Sequence, residues 1–95
     1  MDIRVGSFVW DVHKEQLNIE KHGIDFMGAM DAFDDPKRLL IFDSRHSEKE
    51  QRYFCIGKVK EKILTVRFKR NTEEIRIIGA ANWRKWRKFY EKKNG

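Results

Sequence analysis

The feature that most constrains this chain is a change of period at Pro36, its only proline. Before it, Phe26, Met30 and Phe33 fall at i, i+4 and i+7, one face of a helix. After it, apolar residues alternate. Leu64, Val66 and Phe68 point one way, and Ile63, Thr65, Arg67 and Lys69 the other, as side chains do on a strand. Helical segments followed by a run of strands indicate an α+β domain rather than alternating α/β units.

Local signals set the boundaries. Phe8-Val9-Trp10 reads as a short strand, and Asp11 as the N-cap of a helix from Val12 to about His22, because a carboxylate can accept the unpaired amides of a first turn. Gly23 suits the position after the helix, where positive φ is needed. Asp25 caps a second helix that Pro36 ends. Strands follow at Arg38–Asp43, Arg52–Lys58, Ile63–Lys69 and Ile75–Gly79. Turns at Lys60-Glu61-Lys62 and Asn71-Thr72-Glu73 make antiparallel hairpins of the last three. Asn82 caps a final helix to about Lys92. The order is β-α-α-β-β-β-β-α. The expectation is two N-terminal helices and a C-terminal helix packed on an antiparallel four-stranded sheet. Its other face, with Arg67 and Lys69 near the middle, is left free.

Ninety-five residues make one domain, 1–95. The longest apolar run, Leu39–Phe42, is too short to cross a membrane, and the first residues show no apolar secretion core. Cys55 is the single cysteine and there are three histidines, so no internal disulfide and no Cys/His zinc site are expected. These features point to a cytoplasmic protein without metal or cofactor. Its charge is uneven. Residues 1–75 carry 14 basic and 14 acidic residues; residues 76–95 carry 7 basic and 1 acidic. The whole excess of +6 lies in the last fifth of the chain, a field that attracts a polyanion such as nucleic acid.

The densest cluster of reactive side chains is Asp43-Ser44-Arg45-His46-Ser47-Glu48-Lys49-Glu50-Gln51-Arg52. Arg45 and Arg52 can fork onto phosphate oxygens, and His46 or Glu50 can move a proton; a polar loop with local ion pairs would look the same. Lys21 and His22 end a helix, where the dipole favours cations. Trp83, Trp86 and Tyr90 recur at helical spacing beside Phe89, a stripe expected in the core. The Tyr90 hydroxyl is the part that can reach the sheet face. Arg84, Lys85, Arg87 and Lys88 flank the stripe. Cys55, within a strand, has no partner that would make it a nucleophile.

In order along the chain, Phe8-Val9-Trp10-Asp11, Lys14, Asn18, Lys21-His22-Gly23-Ile24, Phe26, Ala29, Phe33, Asp35-Pro36, Asp43-Ser44-Arg45-His46, Glu50, Arg52, Ile56-Gly57 and Arg76-Ile77-Ile78 resemble the BrnT family of bacterial toxins. The likeness spans residues 8–91. Where the family has Ser-Ala-Arg, this chain has Gly79-Ala80-Ala81, followed by Trp83-Arg84-Lys85 as the start of the last helix. Ala81 thus stands in the place of an arginine, with Arg84 or Lys85 available to substitute.

The resemblance implies a RelE-like fold and a ribonuclease toxin of a type II toxin–antitoxin pair. Its RNA substrate would be cut without metal, and a BrnA-like antitoxin would block it. DNA would be contacted only through the toxin–antitoxin complex. On that implication Arg45, His46, Glu50, Arg52, Lys21 and Tyr90 are the candidate catalytic residues. Arg67, Lys69, Arg76, Arg84, Lys85, Arg87 and Lys88 are the candidate RNA contacts. A catalytically inactive module that binds RNA or antitoxin is the alternative.

Overall fold

A computed structural model describes all residues, 1–95. The elements are β1 (Asp2–Val5), β2 (Phe8–Asp11), α1 (Val12–His22), α2 (Phe26–Met30), β3 (Leu39–Phe42), β4 (Arg52–Val59), β5 (Lys62–Arg70), β6 (Ile75–Ala81) and α3 (Arg84–Asn94). Short 3-10 turns follow α2 at Asp31–Asp34 and β3 at Ser44–His46. The α+β class is as expected. The caps at the start are also as expected: Asp11 accepts from the Lys14 amide, Asp25 from the Gly28 amide, and Gly23 takes a left-handed φ of 71°.

The sheet is larger than expected and mixed. Six strands lie in the order β1-β2-β6-β5-β4-β3. The β3–β4, β4–β5 and β5–β6 pairs are antiparallel, but β2 lies parallel to β6 at Phe8–Ile75 and Val9–Arg76. Beyond that contact α1 runs beside β6. The Asn18 side-chain amide takes the place of a strand there: it donates to the Ala80 carbonyl (3.0 Å) and accepts from the Ala80 amide (3.0 Å). One buried side chain thus satisfies both backbone groups of Ala80, on the edge of β6 that no strand pairs.

The helices divide between the two faces, a correction to the expectation of one covered face. On the first face Phe26, Ala29 and Ala32 pack over Cys55, Leu64, Val66, Phe68 and Ile77, with Trp10 at one end. The fit is close at Gly57, where a β-carbon would lie 2.2 Å from the Ala32 carbonyl oxygen. On the second face α3 lays Trp86, Phe89 and Tyr90 over Ile56 and Ile63. Burying a large apolar side chain contributes roughly 1.5–3 kcal/mol, so this stripe holds α3 down.

Coverage of the second face stops partway along β5. Ile63 and Thr65 are buried under α3, whereas Arg67 and Lys69 are partly exposed. Two details at the start of α3 also differ from expectation. Trp83, not Asn82, is the N-cap residue, and no side chain caps the helix. Trp83 itself is 38% exposed rather than core.

Candidate functional site

The open part of the second face is organised around Arg67. Its β4 neighbour is Phe54 and its β6 neighbour is Gly79. A bulge falls beside it, where the β5–β6 register shifts between Arg67 and Phe68. Such an extra residue re-aims the side chains around it. The guanidinium lies against the bare α-carbon of Gly79. No carboxylate pairs with Arg67 in the structure.

A groove of about 400 Å³ opens beside Arg67, between the Ser44–His46 turn and the start of α3. Arg45, His46 and Lys85 supply its polar side; Phe54, Trp83 and Trp86 supply its apolar wall. A second groove of about 260 Å³ shares Arg67 and carries Lys14, Lys21 and His22 from α1. The His22 and Trp83 rings meet edge to face at 6.4 Å. The two grooves together form a cationic track across the sheet.

Asp43 sets the geometry of the turn. It is buried, and its Oδ1 accepts from the Arg45 amide at 3.2 Å. Its Oδ2 lies 2.8 Å from His46 Nδ1. The Ser47 hydroxyl donates to its backbone carbonyl at 2.6 Å. An ionised carboxylate can only accept, so Nδ1 carries a proton, and in the neutral ring Nε2 is then the nitrogen with the lone pair. The side chain is 64% exposed and lines the groove. A carboxylate that fixes the tautomer and steadies the imidazolium is the orienting half of a general-base pair.

The other expected cations separate from this centre. Glu50 bridges Lys69 Nζ (2.9 Å) and Arg52 Nη2 (3.3 Å). Hydrogen bonding from Lys69, aided by Arg52, holds its carboxyl below the usual range, so Glu50 is an acceptor and not a proton donor at neutral pH. Arg76 forks onto Asp2 at 2.8 and 3.2 Å. Tyr90 is buried, and its hydroxyl donates to Asp35 at 2.5 Å, so the structure does not bring it to the groove. Burial, then the Asp35 bond, pushes its pKa up to about 12. Arg84, Arg87 and Lys88 lie exposed on α3 without acidic partners. Burial pushes the Cys55 thiol up to about 12, which makes it a packing residue and not a nucleophile.

The structure therefore brings together Arg45, His46, Arg67 and Lys85, with Lys21 across the shared arginine. It gives a place at the site to two residues that the sequence named without a role, Asp43 and Gly79. For Asp43 a signal existed: an aspartate at a strand end followed by serine favours a side-chain-capped turn. No group of three or more His, Cys, Asp and Glu side chains gathers anywhere in the fold, and no helix is long and apolar enough to cross a membrane. The arrangement can hold a phosphate, accept a proton beside it, and attract a polyanion along the track.

No curated protein matches the chain closely enough to extend this picture. A family model does match, over residues 10–87, and its description is the ribonuclease toxin BrnT of type II toxin–antitoxin systems. That span runs from Trp10 through both grooves to the first turn of α3, and on it the chain belongs to the BrnT toxin family.

Proposed function

We propose that this chain is a metal-independent endoribonuclease of RelE-like type that acts in the cytoplasm. The observation that carries the reading is the pairing of an uncompensated Arg67 with the Asp43–His46 couple on one groove. Cleavage by internal transfer needs a base, a cation and a proton for the leaving group. His46 Nε2 takes the proton of a ribose 2′-hydroxyl. The 2′-oxygen bonds to the adjacent phosphorus, and charge grows on the phosphorane oxygens. Arg67 and Arg45 neutralise it. The bond to the 5′-oxygen breaks, leaving a 2′,3′-cyclic phosphate, and that oxygen takes a proton from solvent in the open groove. Lys21 and Lys85 hold the flanking phosphates. Arg84, Arg87 and Lys88 extend the field along α3.

Such a groove is closed most simply by a partner that supplies negative charge. A cognate BrnA-like antitoxin fills that role, and contact with DNA comes only through the toxin–antitoxin complex. DNA lacks the 2′-hydroxyl that the chemistry uses, so it is not a substrate.

A second reading, an inactive RNA- or antitoxin-binding module, has one observation in its favour. Ala81, in the place where the family resemblance implies arginine, is buried opposite Thr65 and offers no cation. Lys85 lies in the groove and is the residue placed to compensate.

The deciding experiment incubates the purified chain with labelled RNA and a matching DNA in excess EDTA. The Arg45→Ala/His46→Ala variant runs alongside. Cleavage of RNA alone, lost in the variant, supports the ribonuclease. RNA binding without cleavage, restored to cleavage by Ala81→Arg, supports the inactive module.

A further inference from the structure

Of the three tryptophans, two have structural partners. Trp10 is buried and donates its indole N–H to Glu15 at 3.1 Å. Trp86 packs on Phe54 at 5.3 Å and Phe89 at 5.6 Å, with the Lys85 ammonium 5.1 Å from its ring centroid. Trp83 is different. It is 38% exposed, touches one aromatic neighbour, His22, edge to face, and lines the groove beside Arg67. It also occupies a helix N-cap without capping the helix. Serine, threonine, aspartate or asparagine would stabilise that position, and tryptophan cannot. The ring neither caps the helix nor joins either buried apolar cluster.

We propose that Trp83 is a stacking platform for one unpaired nucleobase, whose adjoining phosphate sits on Arg67, and that it thereby selects single-stranded RNA. The proposal rests on the ribonuclease reading for the identity of the strand. Its physical basis is separate. An indole face can stack any base, because every base has a π-face. The His22 edge contact orients the ring from the side of the second groove. Arg67, with no carboxylate to neutralise it, supplies the phosphate contact that fixes the nucleotide. The groove volume falls in the range of small-ligand sites, roughly 300–1,000 Å³, room for a nucleotide and not for a duplex. Inside a duplex, away from the helix ends, both faces of each base are already stacked, so the platform has nothing to take.

The test uses the full chain and a short fluorescein-labelled 2′-O-methyl RNA. That RNA cannot be cut by 2′-oxygen attack, whichever residue is the base. Affinity is read by anisotropy for the single strand and for its blunt duplex. Trp83→Ala is expected to weaken single-strand binding roughly five- to 150-fold, the range for loss of one base stack, and Trp83→Phe to restore most of it. Duplex binding is expected to change by less than about twofold. Three results overturn the proposal: single-strand affinity of Trp83→Ala within about twofold of the parent, an equal loss on the duplex, or no RNA affinity in the parent chain. Binding is read on RNA that cannot be cut, so Trp83-dependent single-strand binding in a chain that cleaves no ordinary RNA fails the ribonuclease assignment alone, and cleavage with Trp83-independent binding fails the platform alone.

Discussion

A methyl group on Gly79 would lie 2.5 Å from Arg67 Nη2 and 3.2 Å from its Cζ. The flat guanidinium lies on the β6 backbone because residue 79 has no side chain there. The atoms in the way are the far end of a flexible side chain and not backbone, so the fold can accommodate Gly79→Ala while Arg67 cannot keep its place. The expected outcome is at least a ten-fold loss of single-turnover cleavage, since small displacements of a charge-stabilising group are costly. The thermal midpoint should fall by no more than a few degrees. A large loss of stability with cleavage retained by the folded fraction would show that Gly79 serves packing alone.

Asp43→Asn keeps the shape of the turn but removes the charge that holds His46 Nδ1–H. An amide can present its NH₂ to Nδ1, which reverses the tautomer and puts the proton on Nε2, where the base is needed. General-base catalysis contributes typically 10²–10⁴-fold, and most of that factor should disappear. RNA affinity, which the proposed mechanism assigns to Arg45, Arg67 and Lys85, should change little. Rates and binding constants measured in parallel check this. Equal losses in both would mean that Asp43 only supports the loop.

Glu50 holds Lys69 and Arg52 in an ion-pair cluster. Glu50→Gln releases both cations toward the RNA track. Affinity for RNA should rise several-fold at low salt. The slope of log affinity against log salt should steepen by about 0.7 for each added phosphate contact on a single strand. A salt titration by anisotropy checks it, and an unchanged slope would place Lys69 and Arg52 off the track.

The fold carries a titratable fastener between Asp35 and Tyr90. Asp35 also accepts from the Lys58 and Lys37 amides at 2.7 and 2.8 Å. Burial raises its pKa, but the Tyr90 hydroxyl and these amides outweigh that, and the net value lies below 3.8. Its contribution is present above about pH 3.8 and is lost as pH falls through the lower folded value. Tyr90 is shifted the other way, from 10.0 to about 12. Its contribution is complete below pH 10 and is lost as pH rises towards 12. Tyr90→Phe should cost about 1.5–3 kcal/mol near neutrality, the range for a hydrogen bond to a charged group. The gap between parent and variant should stay constant from pH 5 to 9 and shrink above pH 10 in urea unfolding. A gap that persists unchanged at high pH would mean the hydroxyl bond contributes nothing.

Much of this was legible in the sequence, for identifiable reasons. Strand β5 announced itself because buried Leu64, Val66 and Phe68 alternate with the cations Arg67 and Lys69 on the other row. The α1 caps were legible because Asp11 and Gly23 act within a few residues. β1 was not: Asp2-Ile3-Arg4-Val5 has only two apolar side chains, and it is a strand because it pairs with β2 from Val5–Phe8 to Asp2–Asp11. The parallel β2–β6 contact joins Phe8 to Ile75, a separation over which no local pattern speaks. The Trp86-Phe89-Tyr90 stripe revealed that α3 packs, but spacing alone does not choose between two faces that both carry apolar residues. At the site, residue type marked out Arg45, His46 and Arg67. Which cations are free was hidden, because pairing of Arg76 with Asp2 or Lys69 with Glu50 is decided by sheet order and loop path.

On the proposed mechanism, Arg67 stabilises the charge that develops during RNA cleavage. The most direct test is the single-turnover rate of Arg67→Ala against the parent chain, with RNA saturating and EDTA in excess. The expected result is a loss of about a hundred-fold or more with RNA still bound. A rate within about threefold of the parent would contradict the claim and move the chemistry away from this groove.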